Sequence, residues 1–310
     1  MTQGSPAECI SWALMHLPAG DYVSHEICHT AFSLVLRLSG AGGVFYLKQL
    51  PPELFREAAV TAALAAYMPK AVPEVIAGNP ALGCFLTADR GAQLRQHIKE
   101  TGKTQLLEQA VQVYAAIQQS ALVHLDELAA LGLPDWRPMR LPQLFSALLA
   151  DAHFKTLGFT PQQQQALVQY TIKMQVQCAQ LAAAEIPASI EHADFQDKNV
   201  LVAGGNLAVI DWGEAVIAHP FFSLSRFLVS VSIHHKLDGI SIRNTYLACW
   251  QNHAPPAALE QAYALVEALS PAYAALAYAQ LAAASGSEGQ GYWQRSILPL
   301  LKDILSKEPM

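Results

Sequence analysis

Charge is scarce in this 310-residue chain: only 14% of its residues are charged against 52% hydrophobic, and the formal net charge is −6. A shortage of basic residues argues against a nucleic-acid polymer or an anionic membrane as partner, because both are bound through a basic face. Cysteine is sparse as well. The five cysteines, Cys9, Cys28, Cys84, Cys178 and Cys249, are scattered, odd in number and without metal-ligand spacing. A disulfide framework or zinc site is therefore not expected, and the thiols fit a reduced, cytoplasmic setting. The amino-terminal stretch MTQGSPAECISWAL lacks a basic region ahead of an apolar run, so no secretory signal is expected. The strongest candidate for a membrane span, residues 262–284, is richer in alanine than in leucine or isoleucine and carries Glu267, Pro271 and Gln280, so it reads as packed helix. There is no internal repeat and no low-complexity tail. What is left is enough chain for one large or two medium domains with a substantial core.

The informative stretch is IEHADFQDKNVLVAGGNLAVIDWGEA, residues 190–215. Two β-type runs, residues 200–202 and 207–210, flank Gly204-Gly205-Asn206, a sequence that supplies the positive-φ positions of a short hairpin turn. A hairpin centred on Gly205 sets Asn199 opposite Asp211, with the two side chains on one face and Cβ atoms about 5 Å apart. Two oxygen-bearing side chains at that spacing can share a hard cation such as Mg²⁺. Asp194 lies five residues before Asn199 and two after His192.

The pattern H-x-D-x-x-x-x-N followed by a strand ending in Asp is the arrangement of a protein-kinase catalytic loop and its metal-binding aspartate. The words HADFQDKN and IDW resemble those of the aminoglycoside phosphotransferase and choline kinase-like family, which shares the kinase fold. The resemblance implies Asp194 as the catalytic carboxylate, Asn199 and Asp211 as magnesium ligands on the ATP phosphates, and His192 as a residue that shapes the loop. The family usually has glycine where Ala193 stands. Glu214, three residues beyond Asp211, falls where the family often has an acidic residue near the acceptor. It could equally bond a backbone N–H or a helix start.

Earlier in the chain, residues 32–39 and 44–49 form two β-leaning runs joined by Gly40-Ala41-Gly42-Gly43. Alternation in the second puts Val44, Tyr46 and Lys48 on one face. Pro51-Pro52 then opens a helix-like run to about Tyr67. A strand lysine followed by a helix glutamate is the kinase pair that positions the α- and β-phosphates. Glu53 and Glu57 share a helix face, and periodicity does not choose between them. The resemblance of YLKQLPPELFREAAVTAAL to the family segment favours Glu57. No G-x-G-x-x-G precedes the lysine: the corresponding region YVSHEICHTAF has no glycine, and the family commonly lacks the motif too. Residues 72–76 and 83–87 read as further strands, leading into Ala88-Asp89-Arg90-Gly91. By analogy with kinases this connector meets the adenine edge through its backbone. Leu201 and Ile210 could supply an apolar face beneath adenine or be plain hairpin core.

From Leu94 onward the pattern is helical, with runs at 104–131, 141–154, 161–184, 220–232, 242–251, 257–269, 272–284 and 292–306, and SGSEGQG at 285–291 reads as a surface loop. Strands first and helices after give an α+β, two-lobed architecture, and the resemblance implies that it is the protein-kinase-like fold. Residues 1–90 are expected to form a nucleotide-binding lobe and residues 91–310 a helical lobe with the catalytic loop and acceptor site. The expected activity is transfer of the γ-phosphoryl group of ATP, with Mg²⁺, to a hydroxyl of a small, amine-bearing or sugar-like acceptor. A catalytically silent nucleotide-binding protein is the alternative, opposed by the presence of Lys48, Asp194, Asn199 and Asp211. A metal hydrolase built on His192, Asp194 and Asp211 would need a further histidine ligand, and His219, His234 and His235 belong to no metal motif. A protein acceptor is disfavoured because no D-F-G or A-P-E word follows the loop.

Overall fold

A computed structural model describes residues 4–307. The chain opens with helix α1 (Pro6–Leu14), started by a capping box in which Ser5 and Glu8 satisfy each other's backbone N–H. Strands β1 (Tyr22–Thr30), β2 (Ser33–Gly40) and β3 (Gly43–Gln49) follow, then helix α2 (Arg56–Tyr67) and strands β4 (Val75–Asn79) and β5 (Cys84–Ala88). The five strands form one antiparallel sheet in the order β1-β2-β3-β5-β4. Strand alternation decides what each face does. Leu34, Leu36 and Leu38 of β2 and Leu47 of β3 point outward and are buried under Cys9, Trp12 and Ala13 of α1. Val35, Arg37, Tyr46 and Lys48 point the other way and stay half-buried.

After Ala88 the chain leaves this sheet. A two-residue strand, β6 (Ala92–Gln93), pairs with a second sheet, and the helices α3 (Leu94–Thr101), α4 (Leu106–Ala121) and α5 (Leu125–Ala130) begin the larger helical part. Strand β7 (Asp135–Trp136), helices α6 (Leu141–Ala150), α7 (Ala152–Lys155) and α8 (Pro161–Ala183) and strand β8 (Ser189–Glu191) come next. The word HADFQDKN lies between β8 and the hairpin of β9 (Val200–Ala203) and β10 (Asn206–Val209). Strand β11 (Val216–Ala218) joins β7 and β8 in a third small sheet. Helices α9 (Phe222–His235), α10 (Ile240–Ala248), α11 (Pro256–Ala284), α12 (Gly289–Tyr292) and α13 (Leu298–Lys307) close the structure. One continuous core runs from Val60 and Leu64 of α2 through α4 and α8 to Ile304 of α13. No helix among the described residues is long and apolar enough to cross a membrane.

The structure departs from expectation in local ways that have physical causes. The region with no glycine, residues 22–32, is mostly the edge strand β1. The two helices expected at 257–269 and 272–284 are one, with Pro271 inside it. An interior proline costs about 3 kcal/mol, and burial of Leu269, Ala272, Tyr273, Ala275 and Leu276 along the same helix outweighs it. The expected loop at 285–291 is wound into a 3₁₀ turn, Gly286–Glu288, and α12. Glycine is needed there, because a Cβ on Gly289 would collide with the Ala282 carbonyl. The helical run expected at 104–131 is broken by a single 3₁₀ turn, Leu122–His124.

Candidate active site

The hairpin places its flanking residues one step differently from the sequence reading. Gly204 and Gly205, at φ 55° and 84°, form a two-residue turn, so Ala203 pairs with Asn206 and Val200 with Val209. Asn199 therefore faces Ile210, whose N–H donates to the Asn199 carbonyl at 3.0 Å, and not Asp211. Asp211 lies past the end of β10 and takes a left-handed φ of 72°. Neither residue is a strand residue: Asn199 ends a 3₁₀ turn, Asp197–Asn199, and Asp211 precedes another, Trp212–Glu214. A non-glycine residue in that conformation is strained by about 1–3 kcal/mol, and such strain gathers where geometry serves a site.

Lys48, on the inner face of β3, is the meeting point. Its Nζ donates to both carboxylate oxygens of Glu57 at 2.8 Å and to Oδ1 of Asp211 at 2.5 Å. Between the two candidates on one helix face, the lysine pairs with Glu57, whereas Glu53 is exposed. Burial would strip the proton from Lys48, but Asp211 and Glu57 outweigh it and hold the ammonium well above its ordinary range. One positive charge serves two carboxylates. Burial pushes the deeper one, Glu57, up to about 7 against the pull of Lys48. Asp211 is held below the usual carboxylate range, Lys48 outweighing its burial. Its Oδ2 makes no hydrogen bond among the described residues, and 42% of the side chain is exposed.

Asp194 is nearly buried and bonded on both oxygens. Oδ1 accepts from Gln196 Nε2 and Arg226 Nε, each at 2.6 Å, and Oδ2 accepts from Asn199 Nδ2 at 3.2 Å and faces Lys198 Nζ at 3.2 Å. Burial would raise it, and Arg226 with Lys198 holds it below its ordinary value. Asn199 Nδ2 also donates to the Asp194 carbonyl at 2.9 Å, leaving Asn199 Oδ1 without a hydrogen bond among the described residues. His192 is buried and neutral, since burial lowers it; its Nε2 donates to the Ile210 carbonyl at 2.8 Å and its Nδ1 accepts from the Asp194 N–H at 3.3 Å. These two bonds brace the loop against the hairpin. Ala193, between them, has φ 64°, which is why glycine suits this position. An alanine there costs about 1–2 kcal/mol in backbone strain, offset in part by burial of its methyl group.

Several supporting residues carry no sequence signal. Glu191 is buried and pushed up to about 8 by that burial; its Oε2 accepts from Tyr114 and Gln118, and the Tyr114 hydroxyl accepts the His192 N–H at 3.0 Å. Asp197, inside the quoted word HADFQDKN, is fully buried and bonded by Arg95 of α3, and by Ser230 and His235 of α9, at 2.7–3.0 Å. Arg226 sits in the word SLSRFL, where it reads as an ordinary solvated arginine on an amphipathic helix. Only the fold brings it to Asp194.

The connector residues are fixed by internal bonds. The Ala88 and Asp89 N–H groups donate to the carbonyls of Glu74 and Val44, Asp89 Oδ1 accepts from the Gly91 N–H, and Arg90 is bonded to the Pro69 and Val72 carbonyls. Leu201 and Ile210 are half-buried and lie outside the core clusters. Glu214 lines a small cavity of about 20 Å³ with Lys48, Glu57, Asp211 and Leu281. Its carboxylate makes no hydrogen bond among the described residues, while its carbonyl accepts from Gln280 Nε2 at 3.3 Å. Burial, with the charges of Asp194 and Asp211, pushes it well above the carboxylate range.

Residues 30–276 match the model of the phosphotransferase enzyme family, and the chain belongs to that family. A choline/ethanolamine kinase family protein from Mesorhizobium loti has a similar fold, with a TM-score of 0.62, 15% identity and coverage of 97% of this chain and 96% of that one. Choline kinase from Cryptosporidium parvum gives a TM-score of 0.63 at 10% identity, covering 98% and 95%. An aminoglycoside phosphotransferase in ternary complex with AMP-PNP and hygromycin B gives 0.51 at 16% identity, covering 94% and 97%. No curated protein sequence matches the chain. The fold is thus the α+β, protein-kinase-like one, and the chain is a member of the phosphotransferase enzyme family.

The Asp197 cluster makes acid stability readable. Its hydrogen bonds to Arg95, Ser230 and His235 overcome its burial and hold it at about 2, below the 3.8 of a free aspartate. This contribution is fully present above pH ~4 and is lost as pH falls towards 2, amounting to about 2 kcal/mol. Urea unfolding should show Asp197→Asn less stable than wild type by about 3 kcal/mol at pH 7, with the gap narrowing below pH ~4. A gap that is constant from pH 7 to 2.5 would refute the assignment.

Proposed function

We propose that the protein transfers the γ-phosphoryl group of ATP to a hydroxyl of a small acceptor. Residues 1–90 would form the nucleotide lobe and residues 91–310 the lobe that carries the catalytic loop and acceptor. The observation that carries this reading is the convergence of Lys48, Glu57 and Asp211 on one ammonium group, beside an Asp194–Asn199 pair joined by hydrogen bonds. Phosphoryl transfer demands positioning and charge neutralisation more than covalent help, and these are the groups that provide both.

In this reading Lys48 turns from Asp211 to the α- and β-phosphates while Glu57 keeps it oriented. The connector Ala88-Asp89-Arg90 meets the adenine edge through its remaining backbone groups, and Leu201 and Ile210 give the base an apolar face. Two oxygens uncommitted within the described chain, Asn199 Oδ1 and Asp211 Oδ2, suit a hard cation whose other ligands are phosphate oxygens. Mg²⁺ held there would neutralise charge on the β- and γ-phosphates. Asp194 receives the acceptor hydroxyl. As the acceptor oxygen bonds to the γ-phosphorus and the bond to the β,γ-bridging oxygen breaks, ADP leaves and the hydroxyl proton passes to Asp194. Of the two acceptor kinds expected, Glu214 supports the amine-bearing one, and the cations around Asp194 support one rich in oxygen.

ADP release during a screen of hydroxylated small molecules tests the activity, and two sets of variants test the roles. Asp194→Asn should bind ATP as wild type does and transfer about 10²–10⁴-fold more slowly; near-normal turnover would remove Asp194 from the chemistry. Asp211→Ala should weaken Mg²⁺-dependent nucleotide binding more than Asn199→Ala, because a full charge is lost rather than a dipole. The reverse ranking, measured by titration with and without Mg²⁺, would contradict the metal assignment.

A further inference from the structure

Two cations converge on Asp194, one at each carboxylate oxygen: Arg226 Nε at 2.6 Å from Oδ1 and Lys198 Nζ at 3.2 Å from Oδ2. Arg226 reaches in from α9 and is held from behind. Its Nη2 donates to the Tyr278 hydroxyl of α11 at 3.0 Å, and its guanidinium lies over the Tyr278 ring, 5.1 Å from the centroid. Its Nη1 makes no hydrogen bond among the described residues, and 29% of the side chain remains exposed.

This placement bears on what can bind beside Asp194. A carboxylate next to the face of a tyrosine is a good place for an ammonium group, which gains from both the charge and the ring. Here the protein's own guanidinium already fills it. An ammonium-bearing acceptor would have to displace Arg226 from a nearly buried carboxylate, and breaking such a pair is strongly unfavourable. The local arrangement points the same way: two cations, Arg226 and Lys198, already meet the one carboxylate of Asp194. Asp211 is engaged by Lys48 and, with nucleotide bound, would face the cation instead. Glu214, half-buried, lines the cavity that holds Lys48, Glu57 and Asp211. An uncommitted guanidinium N–H on a partly exposed side chain is a donor suited to a carboxylate oxygen.

We infer that Arg226 is a specificity-determining residue: its guanidinium occupies the cation position beside Asp194, and the acceptor is a hydroxylated monocarboxylate, a hydroxy acid or sugar acid. The acceptor's carboxylate meets Arg226 Nη1 while one of its hydroxyls meets Asp194. The inference rests on the phosphotransferase reading of the Asp194 site, and it replaces the amine-bearing acceptor suggested by Glu214. Asp194 is already met by two cations, and the uncommitted nitrogen supplies the donor for the acceptor's carboxylate.

The test uses acceptors related in hydroxyl pattern and differing in charge: gluconate, glucose and glucosamine, and glycerate, glycerol and 2-amino-1,3-propanediol. Each is titrated calorimetrically into the full chain saturated with Mg²⁺ and a non-hydrolysable ATP analogue. In wild type the carboxylate member of at least one trio should bind about tenfold or more tighter than the amine, the scale of one close charge contact near a protein surface. Arg226→Gln should bring that ratio to within about twofold, whereas Arg226→Lys, which keeps the charge, should preserve the preference. A merely structural arginine would not shift a ratio between ligands of different charge. Preference for the amines in wild type, no binding by any member while the analogue is bound, or an unchanged ratio in Arg226→Gln overturns the inference. If Arg226→Gln does not fold, the wild-type order together with Arg226→Lys decides. Failure of the underlying reading looks different, since the ATP analogue itself would then not bind.

Discussion

The ammonium of Lys48 is shared between Glu57, nine residues away on α2, and Asp211, 163 residues away beyond the hairpin. The first contact stays within the sheet and helix of the amino-terminal part, and the second crosses to the helical part. Removing either carboxylate leaves a nearly buried charge short of a partner, which costs about 3–5 kcal/mol. That charge therefore ties the two parts together at the place where their surfaces face each other. In the proposed reading a polyphosphate enters here, its oxygens taking over the lysine and freeing the Asp211 carboxylate.

Everything else near the cleft holds that meeting point in place. The Asp194 loop is fastened on three sides: by His192 to the Ile210 carbonyl, by Glu191 and Tyr114 to α4, and by Asp197 to α3 and α9. Each fastening uses a buried polar group with several partners, and such networks fix one geometry when satisfied. Asp211 reaches Lys48 by leaving the strand through a left-handed residue, and the tight turn at Gly204-Gly205 sets where that departure falls. The loop, the hairpin and the lysine strand thus form one mechanical unit.

Much of this was legible in the sequence because it is written in local patterns. Alternation gave the face of β3 that carries Lys48, the helical run at 161–184 gave α8 nearly to its ends, and the HADFQDKN word marked the loop. Choosing Glu57 over Glu53 needed the family resemblance, and the structure pairs Glu57 with the lysine. The hairpin register was misjudged by one residue because Gly-Gly-Asn admits either a two- or a three-residue turn, and only cross-strand bonding distinguishes them. Arg226, Arg95 and Tyr114 were not legible at all. Each meets the loop from about 30 to 100 residues away in the chain, as Arg226 does with Asp194 and Arg95 with Asp197, and nothing local separates them from surface arginines or a core tyrosine. The proline in α11 was read as a break because propensity speaks for one turn, while burial along 29 residues speaks for the whole helix.

The central claim is that Lys48, Asn199 and Asp211 form a site for a metal-bound nucleotide. Calorimetric titration of the wild-type chain with a non-hydrolysable ATP analogue, in Mg²⁺ and then in a chelator, addresses it most directly. Saturable binding at one site in Mg²⁺, weakened at least about tenfold by the chelator, is the expected result. Equal affinity in both conditions, or no binding in either, would contradict it.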